Sequence, residues 1–424
     1  MTEDFLHYLW KFKKLSGQEL RSTNGESIII KSLGQHNYHS GPDFFNCRLE
    51  IAGQLWAGNV EMHLRASDWY RHGHDDDPAY DNVILHVVWK HDAEITRRSE
   101  VDIPVLEVAG YVPDSLVLAY TRLFAYKNNQ FINCEKMIDQ VDSFIVNSWL
   151  EKMYLQRLEQ RYERIQLSLG KNNNDWEATF FQMLARSFGT KINADAFEQL
   201  ATSIDQSVVR KLASDAFQLE AVLFGQSGLL DKEFEDRYFH LLVNEFAFAK
   251  AKYQLTPIHT SLKLFRLRPA NYPTVRLSQL AMLYHQNPLL FAEILLAQTK
   301  TEIKTLFQVK AATYWNDHHL FDKATESKEK VITNDFIDLV IINCVVPMKF
   351  AYAKYHGKEN LEELLSLMRE LKAEKNTITA GFNKLIAIEN ALETQAVLQL
   401  KPNYCDQNVC LNCDIGIQLM RADS

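Results

Sequence analysis

Apolar and polar positions along this chain follow two rhythms, and the change comes near residue 112. Ahead of it lie short runs rich in β-branched and aromatic residues: SIIIKSL, FFNCRLEIAG, QLWAGNVEMHL, NVILHVVWKHD and VDIPVLEVAG. Their length and composition, and the Gly-Pro, Ala-Gly and DDDP turn signals between them, predict about five strands. In front of the strands, EDFLHYLWKFKKL sets Phe5, Leu6, Leu9, Trp10 and Phe12 at helical spacing and predicts a first helix. Residues 66 to 82 carry neither rhythm and read as irregular. Beyond Pro113 the period is helical, as in DSFIVNSWLEKMYLQRLEQRYERIQLSL, WEATFFQMLARSFG, DRYFHLLVNEFAFAKAKYQ and LEELLSLMRELKAEK, with breaks at GKNNND and HGKEN.

The pattern predicts an α+β chain in three parts. A mixed-sheet α/β domain covers residues 1–112, a large all-α helical domain covers 113–400 from the YVPDSL break onward, and a short Cys-rich tail, 401–424, packs on the rest. Composition narrows the function classes. The formal net charge of −8 excludes a surface coated in positive charge but leaves room for a local basic patch. The apolar runs stay short of what a bilayer requires, so no membrane partner is expected. MTEDFLHYLWKFKK lacks the order of a signal peptide. The expected location is cytoplasmic, where the six cysteines are thiols or metal ligands rather than disulfides.

Candidate chemistry concentrates in one place. Seven of the fourteen histidines fall between His36 and His91, and WAGNVEMHLRASDWYRHGHDDD holds the densest set of carboxylates and imidazoles. Glu61 and His63 are two apart on a predicted strand and so share a face. A hairpin turning near Ala52-Gly53 brings Asp43, at the start of the preceding strand, toward Glu61. Two carboxylates converging on one spot repel each other unless a divalent cation lies between them. Oxygen ligands of this kind suit Mg²⁺ or Mn²⁺, and such a cation polarises a phosphodiester and activates water.

Pro42-Asp43, followed after seventeen residues by Glu61-Met62-His63, resembles the motif of the PD-(D/E)XK nuclease superfamily. The order of helix, strands and motif in the first 110 or so residues is similar as well. The resemblance implies a nuclease-like α/β domain, with Asp43 and Glu61 as metal ligands and His63 in the catalytic position of the lysine. An imidazole in that position supplies a base or ligand but no fixed ammonium charge. The resemblance also implies an acid from the first helix, for which Glu3 is the candidate, and Gln35 is a further polar candidate. The chain is also similar to an uncharacterised bacterial family of unknown function, through GPDF, GNVEMHL, SDWYRHGH, VILHVVW and a YC…CLxC tail.

His72-Gly-His74 has two functional readings. Both side chains wall the Asp43/Glu61 site and touch substrate phosphates, or, with Asp76, they form an HxHxD zinc site similar to that of metallo-β-lactamase-type hydrolases. Asp68 reads as the cap of a short helix, and His86 as a buried structural imidazole. From Phe246 to Ala292 there is no acid, and Arg266, Arg268 and Arg276 are candidates for binding nucleic-acid phosphates. Cys405-x4-Cys410-x2-Cys413, with Cys134 as the fourth ligand, points to Zn²⁺ or an iron–sulfur cluster. The functional expectation is a metal-dependent nuclease acting on nucleic acid. The alternatives are a catalytically inactive nucleic-acid-binding or scaffold protein of the same fold and a zinc-dependent hydrolase.

Overall fold

The computed structural model describes residues 1–15, 19–37, 39–99, 101–125, 130–265 and 267–422. It divides into two compact units. The first holds Met1–Leu150, Thr377–Ala387 and Val397–Ser424; the second holds Glu151–Asn376 and Ile388–Ala396.

The first unit is built on a mixed sheet of seven strands: β1 (Leu20–Arg21), β2 (Ser27–Ser32), β3 (Gln35–His36), β4 (Phe44–Ile51), β5 (Gln54–Arg65), β6 (Val83–Lys90) and β7 (Val105–Glu107). The order is β1-β2-β4-β5-β6-β7, with β3 also paired to β4. Pairing is antiparallel from β1 to β5 and parallel from β5 through β6 to β7. The two strands beyond the predicted five are β1 and β3, each only two residues long and too short to show a period. The hairpin turns at Ala52-Gly53, where both residues have positive φ, the conformation a two-residue type I′ turn requires.

Helix α1 (Glu3–Lys11) packs on β5 and β6, burying Phe5, Leu6, Leu9 and Trp10. The crossover from β5 to β6 holds the one-turn helix α2 (Asp68–Arg71) and a 3₁₀ turn, Pro78–Tyr80. Trp69 is fully buried there and pins the crossover among Ala66, Tyr80, Val83 and Val88. After α3 (Asp114–Phe124), the tail helix Asp414–Ala422 packs against α3.

The second unit is helical, with one departure from an all-α expectation: His318–Leu320 and Lys323–Ala324 pair as a small antiparallel hairpin. Its run Asn334–Tyr355 has the length and apolar content of a membrane span, but 78% of that window is buried inside the protein. A π-helical turn, Ile341–Val345, interrupts the run and leaves the Ile342 carbonyl accepting from Arg161.

Candidate functional site

The site of the first unit begins with an irregularity. β4 and β5 pair Phe44 with Val60 and Cys47 with Gly58, so Phe45 and Asn46 face the single residue Asn59. This is a β-bulge, with Asn46 at positive φ and its N–H donating to the Asn59 side chain. The extra residue changes the side of the strand to which the residues before it are aimed. Upstream, Asn37 gathers the Gly-Pro loop, its side-chain amide donating to the carbonyls of His39, Ser40 and Pro42.

The two acids interlock through the backbone. The Asp43 N–H donates to Glu61 Oε2 at 3.1 Å, and the Met62 N–H donates to Asp43 Oδ2 at 3.0 Å. Three further groups close on them. His7 Nε2 of α1 lies 3.2 Å from Asp43 Oδ2, and His63 and His74 set their Nε2 atoms 3.5 and 3.4 Å from Glu61 Oε1. His63 Nε2 is 3.0 Å from His72 Nδ1, and His63 Nδ1 is 2.8 Å from His86 Nε2. The donor nitrogens of His63, His72 and His74 all lie within 4.8 Å of one another.

Local chain geometry explains how the crossover histidines arrive. Trp69 is buried, and its carbonyl accepts from the His74 N–H, while Gly73, at positive φ, lets the chain turn back. The His74 ring stacks on Tyr80 at 3.7 Å. Asp68 does not cap α2. Its carboxylate accepts from the Arg65 N–H and pairs with Arg71, which ties the end of β5 to the crossover.

The electrostatics divide the imidazoles into two kinds. Burial, with His74 and His72 adding to it, pushes His63 down to about 3, and burial holds His86 well below its ordinary value. Burial also lowers His74. These rings are neutral at neutral pH and offer lone pairs. Burial alone would lower His7 as well, but the hydrogen bond and charge of Asp43 outweigh it and hold His7 above its usual value. Burial and the neighbouring Asp43 push Glu61 up to about 9. Burial and Asp43 likewise raise Glu3, which places its carboxyl within the same field.

His63 is hydrogen-bonded at both ring nitrogens, Nε2 to His72 Nδ1 and Nδ1 to His86 Nε2, with the donor in each pair set by the tautomers. The other ring nitrogen of His86, Nδ1, is buried with no hydrogen-bond partner. His86 therefore orients His63 in the way that second-layer groups orient metal-binding histidines.

The donor set fits a cation. A metal holding nitrogen and oxygen ligands at about 2.0–2.1 Å spaces neighbouring ligands roughly 3.0–3.5 Å apart. The contacts of Glu61 Oε1 with His63 and His74, and of His63 with His72, fall in that range. A set of imidazoles with a carboxylate suits a borderline ion better than Mg²⁺.

The other sequence candidates lie elsewhere or differently. Gln35 is exposed on β3, and its neighbour His36 is the residue stacked on Phe44 and set against the His7 ring. Asp76 is exposed and is not part of the His63/His72/His74 donor group. Arg266 lies outside the described residues, and Arg268 is exposed. Arg276 is 3% exposed, bonded to Gln279 and Asn271 and seated over the Phe336 ring, so it is internal to the second unit. Cys134, Cys405, Cys410 and Cys413 line one small cavity. His7 was missed from sequence. The available signal was its place four residues after Glu3, on a helix whose other buried positions are apolar.

Residues 3–377 match the family described as Protein of unknown function (DUF2851), and the chain belongs to that family. No curated protein and no solved structure matches it.

Proposed function

We propose that the first unit is a metal-dependent hydrolase of phosphodiesters, nuclease-like in its use of Asp43 and Glu61. The observation that carries this reading is the shared Glu61 carboxylate. One oxygen receives the Asp43 backbone while the other faces His63 and His74 at 3.5 and 3.4 Å. In this reading Glu61, His63, His72 and His74 hold the ion, with Asp43 at its edge. The imidazole-rich set favours Mn²⁺ or Zn²⁺ over the Mg²⁺ suggested by the acids alone. When bound, such an ion supplies Lewis-acid polarisation and a more acidic water. His7 provides the positive charge beside the acids that His63, being neutral, does not. The resemblance to the PD-(D/E)XK superfamily is supported by the order of α1, β4, β5 and the acid pair.

The test is nicking of supercoiled plasmid and of single-stranded DNA by the full chain, stripped of metal and reloaded with Mn²⁺, Zn²⁺ or Mg²⁺. Cleavage is expected with Mn²⁺ or Zn²⁺ and is lost in the Asp43→Ala/Glu61→Ala double variant. Equal cleavage by that variant, or none with any ion, sinks the proposal.

A second reading, a nucleic-acid-binding protein without turnover, is favoured by one observation. Glu61 and His63 are only 5% and 2% exposed, which leaves His72 as the outermost imidazole of the set. Salt-dependent DNA binding with no cleavage would select it.

A further inference from the structure

We propose that Cys134, Cys405, Cys410 and Cys413 form a four-thiolate metal centre that fastens the C-terminal tail to the first unit. The four residues come from segments 271 positions apart in sequence, Cys134 to Cys405, yet they line a single cavity of about 20 Å³. The remaining wall is Leu123, Ile132, Asn133, Tyr404 and Gly416. All six cysteines of the chain are thiols, so the convergence does not serve a disulfide.

The surroundings are built to present sulfur. The Asn133 amide donates to Cys410 Sγ at 3.4 Å, and Cys413 directly precedes the tail helix. The same Asn133 amide reaches Asn408, so the residue beside Cys134 already grips the tail loop. Gly416 lets this happen: a Cβ there would sit 2.1 Å from the Cys410 carbonyl. Hydrogen bonds to sulfur are among the means by which a protein tunes a thiolate-bound metal centre.

The occupant is a soft metal centre, and the spacing points to a cluster. The Cys405-x4-Cys410-x2-Cys413 order with one distant cysteine is the order of plant-type iron–sulfur ligation. Four sulfurs on one zinc ion, at about 2.3 Å each, stand roughly 3.8 Å apart. A plant-type cluster instead places the four sulfurs on two iron atoms, two on each.

The experiment uses the full chain carrying His72→Ala and His74→Ala, so that the histidine site does not contribute metal. It is purified without oxygen and analysed for iron, acid-labile sulfide and zinc, with the visible spectrum recorded. Iron and sulfide with absorbance near 400 nm are expected. Both are lost on adding Cys134→Ser, and the tail becomes sensitive to protease while the far-ultraviolet circular dichroism stays helical. Zinc alone, lost in the same variant, would overturn the cluster and leave the four-thiolate site. Metal content unchanged by Cys134→Ser, or no metal after reconstitution with ferrous iron and sulfide or with zinc, would overturn the site itself. A Cys405→Ser variant repeats the readout from the tail side, should Cys134→Ser fail to fold.

Discussion

Two glutamates, one in each unit, are buried almost equally and mean different things. Glu220 in the second unit is 1% exposed, and Glu61 in the first is 5% exposed. Burial raises the carboxyl of both above the ordinary range. Glu220 is fully answered by neutral donors: Trp315 Nε1–H at 2.6 Å, Tyr238 O–H at 2.9 Å, and Ser278. Glu61 is answered by one backbone N–H, then faced by a second carboxylate and by the Nε2 atoms of His63 and His74. A satisfied buried acid holds a fold together. A buried acid set among a second acid and imidazoles is the arrangement on which the proposed metal site rests. Depth of burial alone does not separate the two cases; the identity of the neighbours does.

The comparison is most easily broken at Glu220. Replacing it with Ala strands its three donors, and unfolding titrations should show a loss of about 3–5 kcal/mol. A loss below about 1 kcal/mol would mean Glu220 is not the fastening it looks to be. The next effect is on metal. His63→Ala or His74→Ala should weaken Mn²⁺ or Zn²⁺ binding by more than about 100-fold in chelator competition, while Glu220→Gln leaves it unchanged.

A smaller effect has its sign fixed by linkage. Folding raises Glu61 from 4.5 to about 9, so the metal-free fold favours its protonated form. The associated stability is complete below pH 4.5 and is lost as pH rises through about 9. In thermal melts of chelated protein, Glu61→Gln should therefore gain on the parent as pH is raised from 5 to 9, by roughly 1–3 kcal/mol at the top. A constant difference across that range would contradict it. The ion should reverse the trend, since binding expels the proton and tightens with pH. Smallest is His86→Phe, which removes the orienting partner of His63. About a tenfold loss of metal affinity is expected with little change in melting temperature.

The parts legible in the sequence were those set by local rules. Alternation placed Glu61 and His63 on one face of β5, and Ala52-Gly53 announced the turn that returns the chain. The crossover histidines were legible as a cluster but not as an arrangement. Only the burial of Trp69 and the turn at Gly73 bring His72 and His74 to His63 and leave Asp76 in solvent. His7 comes from a helix more than thirty residues upstream of Asp43, a distance no periodicity spans. Arg276 misled because a cation in an acid-free stretch reads as surface charge, whereas Asn271, Gln279 and the Phe336 ring compensate it inside. The π turn of the second unit went unread because a run apolar on every side carries no phase, and the small hairpin because strands of three and two residues are too short to show one.

The bulge at Phe45-Asn46 makes the acid pair a matter of parity. Deleting Asn46 would leave Asp43, Glu61 and His63 all present in the sequence, in order, one residue closer together. The strand would return to a regular pleat and Asp43 would swing to the other side of the sheet. A single-residue insertion in the Ala52-Gly53 turn would do the same from the opposite end, exchanging Glu61 and His63 for Val60 and Met62. Insertions or deletions of two residues preserve the frame. Among relatives of this chain, an even change in the spacing between the two acids is compatible with a working site, and an odd one marks a chain that keeps the letters of the motif without its geometry.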